Sequence, residues 1–175
     1  ATGLFAVGNG RDGINASTLS TQIRGNVISG NMRHGMDIGG DSNTIAGNFI
    51  GTNANGTEAV QNGLNGISSY SNNSTIGGFT AADRNIIVAA QAGVSLSSST
   101  NTRVSGNYIG TDVTGSQVLA SGNPIGISMF GHPAASSITI GGGEPGAGNV
   151  INVGTVGNGI AVHIQHTGGS GNKVQ

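Results

Sequence analysis

The chain has 175 residues, a net charge of -1 and no cysteine. Charged residues make up 7% and aromatic residues 3%, while Gly occupies 34 positions, against roughly 7% Gly and a quarter charged residues in an ordinary domain. The absence of Cys excludes a disulfide framework and a thiolate zinc site, and six basic residues are too few for a nucleic-acid-binding surface. Hydrophobic residues still reach 35%, so the chain can form a core and is not a disordered linker.

Two further classes are disfavoured by the apolar patterning. No apolar run approaches the ~20 residues of a membrane-spanning helix, so we expect no membrane insertion. The first ten residues lack the basic flank and the length of a signal peptide. If the protein is exported, we expect its signal to lie outside these 175 residues.

Three short apolar segments follow one another along the chain and then recur in the same order. The first begins with an apolar residue after Gly, at Ile14, Met36, Ile67, Val94, Ile127 and Ile160. The second is centred on Ile23, Ile45, Ile76, Val104, Ile140 and Val174. The third follows the Asn of an Asn-x-Ile/Val pattern, at Asn26, Asn48, Asn85, Asn107 and Asn149.

Each repeat therefore carries three strands of only a few residues, too short to bury their apolar side chains alone. Such units stack on copies of themselves. We predict an all-β fold, a parallel β-helix of about five to six coils, in which the three segments form three parallel sheets. Corresponding residues of successive coils would then lie about 4.8 Å apart.

The hexapeptide GNFIGT at residues 47–52 returns as GNYIGT at residues 106–111. This spacing predicts that Phe49 and Tyr108 lie at the same corner, two coils apart. A longer segment follows each hexapeptide before the next strand. We therefore expect protruding turns on alternate coils, with compact coils between them.

Asn recurs at one corner of every predicted coil. Asn tolerates left-handed backbone geometry and hydrogen-bonds nearby backbone groups. Stacked Asn side chains can also bond one another, at about 1 kcal/mol net per bond. We predict an internal ladder, a structural rather than a ligand-binding feature, formed by Asn26, Asn48, Asn85, Asn107 and Asn149.

The segments IAGNFIGTNANGT and VSGNYIGTDVTGS, with the later STIGG, ITIGG, RNII and GNVI, resemble the repeats of right-handed parallel β-helix proteins of the secreted and surface-exposed bacterial type. The resemblance covers nearly the whole chain from about residue 13. It implies right-handed winding and an extracellular or cell-surface location. It is unspecific for activity, because the same fold hosts polysaccharide lyases, hydrolases, epimerases, phage tailspikes and structural stalks.

The richest polar stretch is NMRHGMDIGGD. Alignment with GRDGINAS stacks Arg33 on Arg11 and His34 on Asp12, and Asp37 falls in an outward column with Asn15, Ser68, Ser95, Ser128 and Ala161. One interpretation is a small site for a sugar or a carboxylate, in which Arg33, His34 and Asp37 are the candidate catalytic residues. The other is a solvated turn whose charges offset one another, each pair contributing little.

No metal or cofactor site is predicted. His163 and His166 have no neighbouring carboxylates in the sequence. The turns GTDVTGS and GTNANGTE carry one carboxylate each, fewer than calcium usually requires. The Gly-rich segment GGGEPGAGN lacks the Lys-Ser/Thr of a phosphate loop.

Two functional hypotheses remain. The first is a structural or adhesive extracellular segment, a single β-helix over residues 1–175 that is uncapped at both ends. We expect it to continue into further repeats or to associate end to end with copies of itself. A surface glycan is a further expected partner. The second is a carbohydrate-active or glycan-binding domain. The seven acidic residues are spread over the coils and aromatic residues are few, which favours the first and argues against an enzyme.

Overall fold

The computed structural model describes residues 8–119, 125–131, 135–154, 159–165 and 169–175. Their regular structure is entirely β, and they contain no helix long and apolar enough to cross a membrane. The strands, in chain order, are β1 (Ile14–Ala16), β2 (Gln22–Arg24), β3 (Val27–Ile28), β4 (Met36–Ile38), β5 (Thr44–Ala46), β6 (Phe49–Ile50), β7 (Ile67–Ser69), β8 (Thr75–Gly77), β9 (Ile86–Ile87), β10 (Ala92–Ser97), β11 (Arg103–Ser105), β12 (Tyr108–Ile109), β13 (Ile125–Phe130), β14 (Thr139–Ile140), β15 (Val150–Ile151), β16 (Ile160–Gln165) and β17 (Lys173–Val174).

Every third strand belongs to the same sheet. Sheet A has the order β1-β4-β7-β10-β13-β16, sheet B the order β2-β5-β8-β11-β14-β17, and sheet C the order β3-β6-β9-β12-β15. Neighbours in all three sheets are parallel. The chain is therefore a right-handed parallel β-helix of about five to six coils, and the predicted fold class is confirmed.

The corner that leads into sheet B has a left-handed backbone in every coil. In the first five coils, the residue two positions before the sheet B strand is Ser or Asn and has a φ between 48° and 62°. In the last coil this residue is Gly, with a φ of 73°. The six residues are Ser20, Ser42, Asn73, Asn101, Ser137 and Gly171. Ser and Asn offset part of the cost of this conformation because their short polar side chains hydrogen-bond locally. The corner is thus encoded by residues other than Gly in five of its six levels.

The core consists of aliphatic columns that run along the helix axis. Met36, Ile67, Val94 and Ile127 of sheet A are all 0% exposed, and they succeed one another in register. Sheets B and C contribute the equivalent columns through Ile45, Ile76, Val104 and Ile140, and through Ile50, Ile87 and Ile109. Each short strand therefore buries its side chain against copies of itself in the neighbouring coils.

The predicted register of sheet A is wrong in the last coil. Ile127 pairs with Val162, so Ile160 lies two residues too early, and the outward neighbour of Ser128 is His163 instead of Ala161. A shift of two residues keeps every side chain on the same face of a strand. The alternation of apolar and polar residues therefore could not distinguish the two registers.

The protruding turns on alternate coils are short hairpins. Thr52 bridges Ala59 in the first, and Thr111 bridges Val118 in the second, both in antiparallel sense. Phe49 and Tyr108 both pair with Ile86 and so lie in one column of sheet C, two coils apart.

The two hairpins also contact each other, although they are separated by a compact coil. The backbone N–H of Val113 donates to the carbonyl oxygen of Gly56 at 2.9 Å. The repeated hexapeptides thus lead into one continuous lateral ridge rather than into two isolated loops.

Candidate functional site

The corner that leads into sheet A holds the predicted polar cluster. The backbone N–H of His34 donates to Asp12 Oδ1 at 3.1 Å, that of Asn65 to His34 Nδ1 at 3.3 Å, and that of Ala92 to Asn65 Oδ1 at 3.2 Å. In each coil a side-chain acceptor thus binds the backbone of the next coil. We refer to Asp12, His34, Asn65 and Ala92 as the corner column.

His34 is a buried member of this column, with 8% of its surface exposed. Burial lowers the pKa of His34, the nearby carboxylates of Asp37 and Asp12 oppose this shift, and Arg33 reinforces it. Because Nδ1 accepts a backbone hydrogen bond, that nitrogen is unprotonated in the folded state. The nitrogen of a candidate general base is therefore already used to join two coils.

Asp12 and Arg33 form a weak ion pair at the same corner. Arg33 Nη1 lies 3.7 Å from Asp12 Oδ2, and the Asp12 side chain is 3% exposed whereas that of Arg33 is 41% exposed. Arg33 stacks on Arg11 as predicted, with its N–H donating to the Arg11 carbonyl at 3.1 Å. A pair with one solvent-exposed partner contributes less than about 1 kcal/mol.

Asp37 lies on the outer face of sheet A, between Asn15 and Ser68 in register. Asn15 Nδ2 donates to Asp37 Oδ2 at 3.4 Å. Asp37 Oδ1 is buried and has no hydrogen-bond partner among the described residues. A cavity of about 340 Å³ lies beside Asn15 and is also lined by Arg11 and Asp12.

The structure thus brings Arg33, His34 and Asp37 to one corner, but these side chains differ in whether they are already bound to other parts of the chain. Asp12 and His34 act as acceptors between coils, and Asp37 Oδ1 is buried, which leaves the Arg33 guanidinium, 41% exposed, for an outside molecule. This guanidinium can contact a small polar ligand. General acid–base hydrolysis of a glycoside needs two free carboxyl groups across the scissile bond, and Asp12 is already engaged.

The five Asn residues of the predicted ladder occupy one column beside sheet C. Both the backbone N–H and Nδ2 of each Asn reach Oδ1 of the next one, with Nδ2–Oδ1 distances of 3.1 Å from Asn26 to Asn48, 3.0 Å to Asn85, 2.8 Å to Asn107 and 3.1 Å to Asn149. The three central members are 0% exposed. We refer to these five residues as the Asn ladder.

A second Asn ladder was missed by the sequence analysis. Asn9 Nδ2 donates to Asn31 Oδ1 at 2.9 Å, and Asn31 Nδ2 donates to Asn62 Oδ1 at 2.8 Å. These residues are 22 and 31 positions apart, which are also the intervals from Ile14 to Met36 and from Met36 to Ile67. The common spacing was the available signal, but these Asn residues lie outside the Asn-x-Ile/Val pattern on which the alignment depended.

Acidic residues of the protruding segments close their own turns. Asp112 Oδ1 accepts from Thr114 Oγ1 at 2.8 Å and from the N–H groups of Ser116 and Gln117 at 3.2 and 3.1 Å. Burial raises the pKa of Asp112, but these hydrogen bonds outweigh it and leave the pKa below its ordinary value. The carboxylate is thus an internal acceptor of the hairpin.

Asp83 is likewise an internal hydrogen-bond acceptor, in the inserted turn that follows β8. Hydrogen bonds from Arg24, at 2.8 Å, and from Thr80, at 2.7 Å, lower the pKa of Asp83. No group of three or more His, Asp or Glu side chains in the described ranges is arranged to hold a metal ion. His163 faces outward from β16, and His166 lies outside the described residues.

No family model, no curated protein and no solved structure matches this chain. Its function must therefore be argued from the arrangement of its own side chains.

Proposed function

We propose that the chain is a structural or adhesive segment of a secreted or cell-surface β-helix polypeptide, in which the coil stack supplies rigidity and the lateral ridge of hairpins offers contacts to partners. The observation that carries this proposal is the Asn ladder, a coil-to-coil hydrogen-bond chain through five successive levels. The corner column adds a second such chain. The extracellular location is supported by the resemblance of the repeats to secreted bacterial β-helix proteins.

The height of the coil stack limits the length of the rod that one chain can form. Sheet A has six strands, which at roughly 4.8 Å per strand gives a stack of about 24 Å between its first and last coil. A long rod therefore needs additional coils. They come from further repeats or from a second copy that associates end to end.

The coil that contains β16 and β17 is suited to such pairing. Ile164 continues an inward column of sheet A yet is 47% exposed, and Ile160 and Val174 are 40% and 57% exposed. A further coil placed on this surface would bury these side chains and pair the free edges of β16 and β17.

Electron microscopy of the native material, combined with a glycan-depolymerisation screen on the same sample, tests the proposal. We expect uniform rods or filaments and no release of sugar products. Discrete particles that cleave a polysaccharide would contradict it, above all if activity disappeared in Asp37→Ala while the circular dichroism spectrum was unchanged. The carbohydrate-active hypothesis would then replace the structural one.

The location is tested separately on the cells that produce the protein. Brief protease treatment of intact cells should remove the epitope recognised by an antibody against the hairpin ridge, with a cytosolic protein as the intact control. Retention of the epitope until the cells are lysed would argue against the surface location.

A further inference from the structure

The outer face of sheet A carries a groove that adjoins Asn65 and Ala92 of the corner column but does not include Arg33, His34 or Asp37 and lies away from the hairpin ridge. It encloses a cavity of about 340 Å³, with Asn65, Gln91, Ser95, Ile125, Ser128 and Phe130 in its lining. Among the residues that the structure describes, none with a charged side chain lines this cavity. In the outward column that forms its floor, Asp37 lies two coils below Ser95.

Two hydroxyl side chains at successive levels, Ser95 and Ser128, form the floor of the groove, and Ser68 continues their column one coil below. Ser68, Ser95 and Ser128 are consecutive partners in the ladder of sheet A. Ser68 Oγ donates to the Tyr70 hydroxyl at 3.3 Å, so the ring of Tyr70 leans over this column. The column therefore places one largely buried hydroxyl per coil at the bottom of the groove, at about 4.8 Å intervals.

One aromatic ring, that of Phe130, lines the cavity, and the register of the strands places the ring of Tyr70 on the same face below it. Phe130 pairs with Ser97, and Tyr70 follows Ser69, the partner of Leu96. The two rings thus lie at one level of the strands, two coils or about 9.6 Å apart along the helix axis. They are among the more exposed apolar side chains, 52% for Tyr70 and 41% for Phe130.

The opposite rim carries amides. Gln91 is exposed and Asn65 is half-buried, and both line the cavity. Asn65 Oδ1 is held by the backbone N–H of Ala92, which fixes the orientation of its amide. The groove therefore presents aromatic faces on one side, amides on the other and hydroxyls between them.

This chemistry selects among ligand classes. A peptide cannot join as an extra strand, because β10 pairs with β7 on one side and with β13 on the other. Phosphates and uronates require cationic partners, which the lining lacks. Sugar rings carry C–H faces that pack on aromatic rings and hydroxyls that bond amides and hydroxyls, the combination of apolar wall and convergent polar groups typical of ligand sites.

We propose that this groove binds an uncharged oligosaccharide that runs along the helix axis, with sugar rings packed on Tyr70 and Phe130. The inference goes beyond the structural role, since a rigid segment needs no ligand, and either can fail without the other.

The test is calorimetric titration of the full chain with uncharged hexasaccharides of β-1,4-glucose, α-1,4-glucose, β-1,4-xylose and β-1,4-mannose, beside hexagalacturonate as the acidic probe. We expect saturable binding of at least one uncharged probe, and at least tenfold weaker binding in Phe130→Ala. Phe79→Ala is the matched control because Phe79 is 45% exposed but lies outside the groove, against Arg103. Its affinity should equal that of the parent.

A second variant protects the test against misfolding. Gln91→Ala changes an exposed side chain and should weaken binding about threefold with an unchanged circular dichroism spectrum. Absence of binding to every uncharged probe, equal or tighter binding of hexagalacturonate, or equal losses in Phe79→Ala and Phe130→Ala would each overturn the proposal.

Discussion

At the scale of single residues, the side chains that matter most are polar and buried. Asn85 has 0% exposure, but Nδ2 donates to Asn107 Oδ1 and to the Ile45 carbonyl, and Oδ1 accepts from Asn48. An amide suits this position because it donates and accepts at once. A carboxylate has no donor, and a hydroxyl has only one, so neither could bond both Asn107 and the Ile45 carbonyl while accepting from Asn48.

Asn85→Ala should therefore lower the free energy of unfolding by about 3 kcal/mol, because it leaves the backbone N–H of Asn48 buried without its side-chain acceptor and removes the bonds from Asn85 Nδ2 to Asn107 and to the Ile45 carbonyl. Urea denaturation followed by circular dichroism measures the shift. Asn55→Ala, at an exposed hairpin position, is the control and should stay within about 0.5 kcal/mol of the parent. Equal effects of the two substitutions would show that the ladder does not stabilise the fold.

His34 predicts a pH dependence. Since burial lowers its pKa below the ordinary value of 6.5, the unfolded chain binds more protons than the folded chain between the two pKa values. The contribution of His34 to stability is therefore complete above about pH 6.5 and decreases as the pH falls through 6.5 towards the folded pKa.

Thermal unfolding between pH 7.5 and 5.5 tests this dependence. His34→Asn keeps a side-chain acceptor, as Asn65 does one coil later, and should flatten the decrease in melting temperature. His163→Asn, on the outer face of β16, should retain the slope of the parent. If His34→Asn retained it as well, the corner column would not be the source of the pH effect.

At the scale of elements, the hairpins illustrate how a turn packs on its own sheet. Gly115 has a φ of 74°, and a Cβ at this position would lie 2.8 Å from the ring of Tyr108. Gly56 occupies the equivalent place over Phe49, at 2.6 Å. The absence of a side chain at both turns lets the hairpins cover the aromatic rings of sheet C.

Gly115→Ala should cost about 2 kcal/mol, since it combines a left-handed backbone with a close contact to Tyr108. Gly143→Ala is the control, because a Cβ at Gly143 meets nothing within 4 Å. Differential scanning calorimetry measures the melting temperatures of both variants. A melting temperature of Gly115→Ala equal to that of Gly143→Ala would mean that the hairpin shifts freely and does not pack on the ring.

At the scale of the whole molecule, stability accumulates from one coil to the next, as in other solenoids. Ile164→Lys places a charge on the exposed inward column of the last described coil and should abolish end-to-end association, while the melting temperature of the isolated chain changes little. Sedimentation velocity over a range of concentrations measures this. Val118→Lys is the control, because Val118 is similarly exposed, at 50%, on the side of the stack.

Loss of association in both variants would indicate that added charge alone prevents it. Association that persisted in Ile164→Lys would show that this coil is not where copies meet.

The candidate site was less predictable than the fold. The stacking of His34 on Asp12 follows from the 22-residue spacing of the aligned repeats. The acceptor role of His34 Nδ1 depends instead on the position of the Asn65 backbone in the next coil, which the local sequence does not indicate. The groove was not predicted either, because Tyr70 and Phe130 are 60 residues apart in the sequence and become neighbours only through the register of three strands.

The sequence by itself determined the three-sheet β-helix, the columns of aliphatic residues, the position of the Asn residues and the alternation of long and compact coils, because a stacked fold repeats its local requirements at regular intervals. Only the tertiary structure decided the register of β16 and the second Asn ladder. It also decided which polar side chains hydrogen-bond a neighbouring coil and which are exposed on the surface. Inserted turns change the spacing between coils, and a shift of two residues preserves the face of every strand. Contacts between coils alone can resolve that ambiguity.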